Sequence, residues 1–392
     1  MINVAILGYG TIGSGVVEVL ARNKEIIKKH AGEEVLVSHV LDLRDFPGSP
    51  VERVLTHNVD DIMDDEDVDI VVEVMGGTRP AYDFVKRALE CGKSVVTSNK
   101  ALVAAYGPEL IRIAADNRVN FMFEASVGGG IPILRPLIRC ITADDILEIS
   151  GILNGTTNFI LTKMYNEGSD FEPTLKEAQA LGYAEADPTA DIEGYDPCRK
   201  IAILTALAYG QFVDFEEIPC TGITGIAKED IAFAKALGKK IKLFGSSFKK
   251  DDVVYAEVAP AMIDPGHPLY AVDDVMNAIM VRGNMLGNVM FYGAGAGSLP
   301  TASAVVSDII VEAKHLNENI PMEMKPEKMA LGDVSETKFR YYVRVPKEAS
   351  VGFETEQEIT IDECPAYKAY ITAPITGAQA AEVKDAVFIK LR

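Results

Sequence analysis

The sequence predicts an α/β protein with a doubly wound, mostly parallel N-terminal sheet, then an α+β domain and a short tail. Three observations carry that expectation. Over the first 130 or so residues apolar strand-like runs alternate with helical patterns, as in a parallel sheet covered by helices. A glycine-rich turn joins the first strand to the first helix. From about Ile131 the order changes to clustered helices and then long strand-like runs. At 392 residues the chain also exceeds the length at which single cores stop growing, roughly 250 to 300, so several domains are expected.

The strands of the first domain are read at Ile2–Leu7, Val35–Leu41, Asp69–Val74, Ser94–Thr97 and Asn120–Phe123. Thr11–His30, Pro80–Cys91 and Pro108–Asn117 carry helical periodicity between them, the last two beginning at proline, which suits a first helical position. Beyond Ile131 come a short helix, a strand near Ile146–Leu153 and helices over Thr156–Tyr165, Pro173–Leu181 and Pro197–Tyr209. Strand-like runs follow at Lys240–Phe248, Val253–Pro260, Ala278–Asn284 and Val289–Tyr292, a sheet suited to pairing with a second subunit. The helical pattern from Thr301 to Leu316 returns to the first domain. The expected division is therefore 1–130, completed by a helix at about 300–320, then 131–299 for substrate binding and dimerisation, then a tail at 330–392.

Lys plus Arg total 38 against 58 Asp plus Glu, a net charge of −20. Such an excess repels phosphate backbones and anionic lipid, which argues against nucleic-acid and membrane-surface roles. No run approaches the ~18 to 20 apolar residues of a membrane span, and Met1–Leu7 reads as a strand without a basic leader. A cytoplasmic protein is expected. The five cysteines are scattered without a CxxC pair and the five histidines without HExxH, so neither a disulfide framework nor a transition-metal centre is expected.

Gly8-Tyr9-Gly10-Thr11-Ile12-Gly13 follows the first strand and opens the first helix, as a Rossmann-type dinucleotide fingerprint requires. Gly8 permits the turn, Gly10 admits the pyrophosphate and Gly13 lets helix and strand pack. At the end of the second strand, 29 positions after Gly13, Asp42 is placed to bind a ribose diol and so favour NAD. Arg44 could instead neutralise the 2′-phosphate of NADP, and both readings stay open.

Lys100 lies just past the carboxyl end of a parallel strand, where ligands of open α/β sheets bind. In the acidic stretch Gly182 to Lys200, five carboxylates precede an apolar helix for which Asp196 reads as N-cap and Pro197 as first residue. Lys200 then falls in the first turn, where the helix dipole disfavours the ammonium and Asp196 opposes that effect. An amine so balanced can exchange a proton with a hydroxyl. The loop Glu124-Ala-Ser-Val127-Gly128-Gly129-Gly130-Ile131 combines a carboxylate with flexible backbone able to turn carbonyls toward a hard monovalent cation.

Gly182-Tyr-Ala-Glu-Ala-Asp-Pro running on to Asp196 and Arg199-Lys200, Asn154-Gly-Thr-Thr-Asn158 and Gly295-Ala-Gly-Ser-Leu-Pro-Thr-Ala-Ser-Ala-Val305 together resemble the homoserine dehydrogenases, and the match runs from about residue 2 to about 320. The resemblance implies an NAD(P)-binding Rossmann domain, a homodimer, and hydride transfer interconverting L-homoserine and L-aspartate 4-semialdehyde in threonine and methionine biosynthesis. It implies Lys200 as proton donor, Asp196 as its orienting group and Lys100 as a lysine touching cofactor and substrate. Glu185 then holds the substrate ammonium, and Gly297 approaches the cofactor. A sodium site is implied at Glu124 with the carbonyls of Val127, Gly129 and Ile131. Ala190 departs from the family pattern, with Asp191 as the replacement acceptor. The tail keeps only fragments, Phe339–Val345 and Tyr367–Ala386, that resemble an ACT ligand-binding module. One alternative is an aspartate-semialdehyde-type dehydrogenase with Cys198 as nucleophile. The other is an NAD-binding regulatory protein without catalysis.

Overall fold

The computed structural model describes all 392 residues, Met1–Arg392. Its chain opens with β1 (Ile2–Leu7), α1 (Thr11–Arg22), α2 (Lys24–Ala31), β2 (Val35–Leu41), β3 (Leu55–Thr56), α3 (Asp60–Met63), β4 (Ile70–Glu73), α4 (Ala81–Glu90), β5 (Ser94–Thr97), α5 (Lys100–Asp116) and β6 (Phe121–Met122). Next come β7 (Ile146–Ile152), α6 (Gly155–Glu167), α7 (Phe171–Ala180), α8 (Thr189–Ile192), α9 (Tyr195–Tyr209), β8 (Gln211–Phe212), α10 (Lys228–Ala236), β9 (Lys240–Lys250) and β10 (Val253–Ile263). The remainder holds β11 (Met276–Gly283), β12 (Gly287–Ala294), α11 (Ser298–Ala313), β13 (Lys325–Lys328), β14 (Lys338–Phe339), β15 (Tyr341–Pro346), β16 (Thr355–Ile359), β17 (Tyr367–Thr372), β18 (Ile375–Thr376), α12 (Gly377–Ala381) and β19 (Val387–Leu391).

These elements form two compact units, one of Met1–Ala143, Ile203–Asp214 and Gly293–Met329, the other of Asp144–Ala202, Phe215–Tyr292 and Ala330–Arg392. In the first, six parallel strands run in the order β3-β2-β1-β4-β5-β6. Every residue of β4 and β5 is buried, as expected of strands with both faces covered. Val16 and Leu20 of α1 pack with Ala302, Val305 and Ile309 of α11 over Val4, Ile6 and Val72. The two helices approach closely at Gly15, where an added Cβ would stand 2.6 Å from Ser298 Oγ.

The second unit is built on a nine-stranded sheet, β12-β11-β7-β9-β10-β19-β15-β17-β16. Its hairpin of β9 and β10 turns at Asp251 and Asp252, both at positive φ, as a two-residue turn between twisted strands demands. The tail strands extend this sheet: β19 pairs in parallel with β10 through Ala261↔Lys390 and Met262↔Leu391. Asp230 of α10, wholly buried, accepts from Tyr342 Oη (3.1 Å), Arg344 Nε (2.7 Å) and Arg344 Nη2 (3.1 Å) of β15.

Several expectations are corrected. Thr11–His30 is two helices, because Asn23 (φ −104°, ψ 18°) leaves helical geometry and ends one as it starts the other. The helix expected from Pro108 begins at Lys100, since Asn99 Oδ1 caps Leu102 N at 3.1 Å and Pro108 is accommodated inside. Asp196 is not the N-cap of α9 but its second residue; the first turn closes on Gly194, whose carbonyl accepts Cys198 N at 3.0 Å. The first unit extends past residue 130 to Ala143, and residues 330–392 belong to the second unit, because β19 pairs with β10 and β15, β17 and β16 continue the sheet from it.

Candidate active site

Gly8 has φ +102°, and a Cβ on Gly13 would lie 2.0 Å from Gly8 O, so the turn into α1 closes only with glycine at both places. Nothing stands within 4 Å of where a Cβ on Gly10 would be. No side chain caps α1, which leaves the N–H groups of Thr11, Ile12 and Gly13 to a phosphate at the positive end of the helix. Ser298 Oγ donates to Thr11 O at 2.6 Å, bringing Gly297, with φ +116°, to the same turn.

Asp42 and Arg44, offered by the sequence as alternatives, form one ion pair in a cleft of about 640 Å3 lined also by Gly8, Gly10, His57 and Gly76. Asp42 accepts from Tyr9 N at 2.8 Å and from Arg44 Nε and Nη2, each at 3.0 Å. The guanidinium holds this carboxyl well below the usual carboxylate range. His57, which no sequence motif marks, donates from Nδ1 to Asp42 O at 2.6 Å and has its Nε2 3.0 Å from Asp45 Oδ1. The Asp42 carbonyl and then the Asp45 carboxylate raise its pKa.

Lys100, half-buried, is the first residue of α5. A chain of polar contacts fixes that helix start. Glu73, wholly buried at the end of β4, accepts from Met75 N (2.9 Å) and Thr97 Oγ1 (2.7 Å), and burial raises its pKa. Thr97 Oγ1 accepts from Asn99 N at 2.9 Å, and Asn99 Nδ2 donates to Gly77 O at 2.5 Å. Sequence reasoning missed Glu73 and Asn99; the signal available was a carboxylate inside an otherwise apolar parallel strand.

In the second unit Lys200 is only 7% exposed, and its Nζ donates to Leu153 O at 2.7 Å and Asp196 Oδ2 at 2.8 Å. Asn154, also missed, caps α6 through Oδ1 and sends Nδ2 to Asp191 Oδ1 (2.8 Å) and Asp196 Oδ2 (2.9 Å). Burial raises the pKa of Asp191, opposed by the Asn154 hydrogen bond. Glu185 is not in this cluster: its side chain is exposed and only its backbone carbonyl is engaged, by Gln179 Nε2 at 3.0 Å.

The loop at Glu124 departs from expectation. Its carboxylate accepts from Ile133 N and Leu134 N (both 2.7 Å) and Arg135 N (2.8 Å), which satisfies the start of the following helical turn. That side chain therefore does not fit as a free cation ligand. The carbonyls of Val127, Gly129 and Ile131 accept no hydrogen bond, and Gly129, with φ +57°, packs where a Cβ would lie 2.3 Å from Gly295 O. Cys198 is unsuited to nucleophilic attack: it is 3% exposed, donates to Phe215 O at 3.2 Å, and its thiol pKa is raised by the Cys220 contact and by burial.

A parallel sheet with an uncapped glycine turn and an acid–arginine pair, in a chain that also holds a buried lysine–carboxylate cluster, defines a dinucleotide-dependent oxidoreductase. The family model described as homoserine dehydrogenase matches residues 132–310, and that of the homoserine dehydrogenase NAD binding domain matches residues 8–124. The chain belongs to the homoserine dehydrogenase family. It is 46% identical to the homoserine dehydrogenase of Bacillus subtilis over 80% of this chain and 73% of that one. With that of Neisseria gonorrhoeae it shares 42% over 88% and 81%. The crystal structure of a homoserine dehydrogenase from Thiobacillus denitrificans superimposes with a TM-score of 0.91 at 35% identity, covering 100% of this chain and 98% of that one. A hyperthermophilic archaeal homoserine dehydrogenase in complex with NADPH gives 0.70 at 30%, covering 82% and 99%. No helix is long and apolar enough to cross a membrane.

Proposed function

We propose that this chain interconverts L-homoserine and L-aspartate 4-semialdehyde, with Lys200 as the proton-transferring group. The observation that carries this reading is the buried contact of Lys200 Nζ with Asp196 Oδ2, in a chain that belongs to the family. NAD(P) supplies or accepts the hydride at the substrate carbon. Thr11, Ile12 and Gly13 would hold its pyrophosphate with Gly297 beside the same turn, the Asp42–Arg44 pair would meet its ribose, and Lys100 would approach its nicotinamide half. As the aldehyde is reduced the Lys200 ammonium gives a proton to the carbonyl oxygen; in the reverse direction the neutral amine takes it from the hydroxyl. Asp196 fixes Nζ, and Glu185 and Asp191 receive the substrate ammonium. The test is absorbance at 340 nm with homoserine and either cofactor: NAD(P)H appearing supports the reading, and no turnover with either cofactor sinks it.

Two further assignments rest on specific observations. The carbonyls of Val127, Gly129 and Ile131 suit a sodium ion, without the Glu124 carboxylate. The open edge of β12, with Met290 and Tyr292 exposed and Met285 and Leu286 beside it, supports a homodimer. A monomeric mass by sedimentation at micromolar concentration would exclude the dimer.

A further inference from the structure

One carboxylate outside the assigned reaction residues spans two loops at the ligand-binding edge of the parallel sheet. Glu73 and Thr97 are register partners at the carboxyl ends of β4 and β5, the edge where open α/β sheets hold their ligands. Glu73 is wholly buried, and the other residues of the two strands are Ile, Val, Ser and Thr. Its Oε1 accepts from Met75 N at 2.9 Å and its Oε2 from Thr97 Oγ1 at 2.7 Å. The direction of the second bond is fixed, because Thr97 Oγ1 itself accepts from Asn99 N at 2.9 Å and so has its one proton to give to Glu73.

Two loops are thereby held by one side chain. The turn at residues 75–77, with Gly76 at φ +80° and Gly77 at φ +71°, puts Met75 and Gly76 in the wall of the cofactor cleft. Asn99 Oδ1 caps α5 at Leu102 N (3.1 Å), its Nδ2 returns to Gly77 O (2.5 Å), and Lys100 is the next residue. Glu73, Thr97, Asn99 and Gly77 thus close a ring of contacts between the cleft wall and the helix start.

We propose, resting on the assignment of Lys100 above, that Glu73 is a positioning residue, which through Thr97 sets the first turn of α5 and so the place of Lys100 against the nicotinamide half of the cofactor. A carboxylate suits this place because both of its oxygens accept. Glutamine there could accept from Met75 N only by turning its amide N–H group toward Thr97, whose proton would then have no acceptor. Valine at position 97 keeps the β-branched shape and deletes the links to Glu73 and Asn99 while leaving the Met75 contact in place. The adenosine end of the cleft is built from other residues, Asp42, Arg44 and the turn at residues 8–13. Loosening the hold of Glu73 is therefore expected to weaken binding of the nicotinamide half and leave that of the adenosine half unchanged.

The test is calorimetry of the full chain with NADH and NADPH, and with ADP-ribose and its 2′-phosphate, which lack nicotinamide. Thr97→Val is expected to weaken binding of the two nicotinamide cofactors about tenfold or more, the loss that goes with a deleted hydrogen bond to a charged group. Binding of the two ADP-ribose probes stays as in wild type. Glu73→Gln should give the same split, and Thr97→Ser, which keeps the hydroxyl, should bind all four as the wild type does. Unchanged nicotinamide-cofactor binding in both Thr97→Val and Glu73→Gln, an equal loss for probes with and without nicotinamide, or a Thr97→Ser defect as large as that of Thr97→Val would overturn the proposal. No homoserine enters these titrations, so their outcome stands apart from that of the assigned reaction.

Discussion

Lys200 Nζ and Asp196 Oδ2 stand 2.8 Å apart one helical turn along α9, and Asn154 Nδ2 reaches the same carboxylate oxygen at 2.9 Å. With one oxygen accepting from both, Asp196 cannot swing away without breaking two charge-assisted contacts. Lys200→Ala is therefore expected to lower kcat by ~100- to 10,000-fold, the usual loss for a general acid or base, while cofactor Kd stays constant. Near-normal kcat in that variant would remove Lys200 from the proton path.

The Lys200 assignment shows what the sequence made legible. Strand alternation located β1, β2 and β5 to the residue, because each is a largely apolar run bounded by turn or helix signals. That a helix runs through Lys200 followed from Pro197, although α9 starts at Tyr195 and so sets Lys200 in its second turn rather than its first. The cap did not, because a proline fits more than one place in the first turn, and only the backbone shows the turn closing on Gly194. Asn154 and Glu73 escaped for a different reason: each acts through partners distant in sequence, Asp196 and Thr97, so a motif residue and a lone carboxylate in an apolar strand were visible without their roles. The capping role of Glu124 toward Ile133, Leu134 and Arg135 was not legible, because a free carboxylate and a carboxylate capping N–H groups look alike in sequence.

Glu185 tests the opposite case, an exposed side chain assigned by resemblance. If it meets the substrate ammonium, Glu185→Gln should raise the KM for homoserine ~10- to 100-fold, matching the ~1.5 to 3 kcal/mol of a hydrogen bond to a charged group. The KM for cofactor should not move. Unchanged homoserine binding by calorimetry would place the ammonium elsewhere.

For cofactor choice, the bidentate contact of Arg44 with Asp42 means that each residue restrains the other. Asp42→Ala releases the guanidinium and removes a charge that repels the 2′-phosphate, so the NADP-to-NAD ratio of kcat/KM should rise about tenfold or more. Arg44→Ala should lower it. A ratio unmoved by both variants would show that the pair does not meet the ribose.

On α11, burial pushes Asp308 up to about 7 and Glu312 up to about 8, from ordinary values of 3.8 and 4.5. The folded chain then binds more protons than the unfolded one across that window. Their stabilising contribution is complete below the unfolded values and is lost as pH rises through the folded ones. Urea midpoints should fall between about pH 4 and pH 8 and level off above that. Asp308→Asn should flatten that slope; an unaltered slope would mean Asp308 is ionised throughout.

The tail poses the final question, because its strands lie within the sheet of the second unit. In chain order its four sheet strands, β15, β16, β17 and β19, stack as fourth, first, third, second, with α12 before the last strand and no helix between β15 and β16. A ligand-sensing module of the usual kind needs two helices to wall its pocket, and here one wall is missing. Asp230 instead anchors β15 to α10 through three hydrogen bonds from Tyr342 and Arg344. Removing one partner of a buried ion pair costs ~3 to 5 kcal/mol. Asp230→Ala should therefore lower the unfolding free energy by about that amount, measured by urea titration. Threonine should leave turnover unchanged in the full chain. Inhibition at sub-millimolar threonine that disappears when the chain ends near Lys328 would show that the tail senses a ligand rather than holding the sheet together.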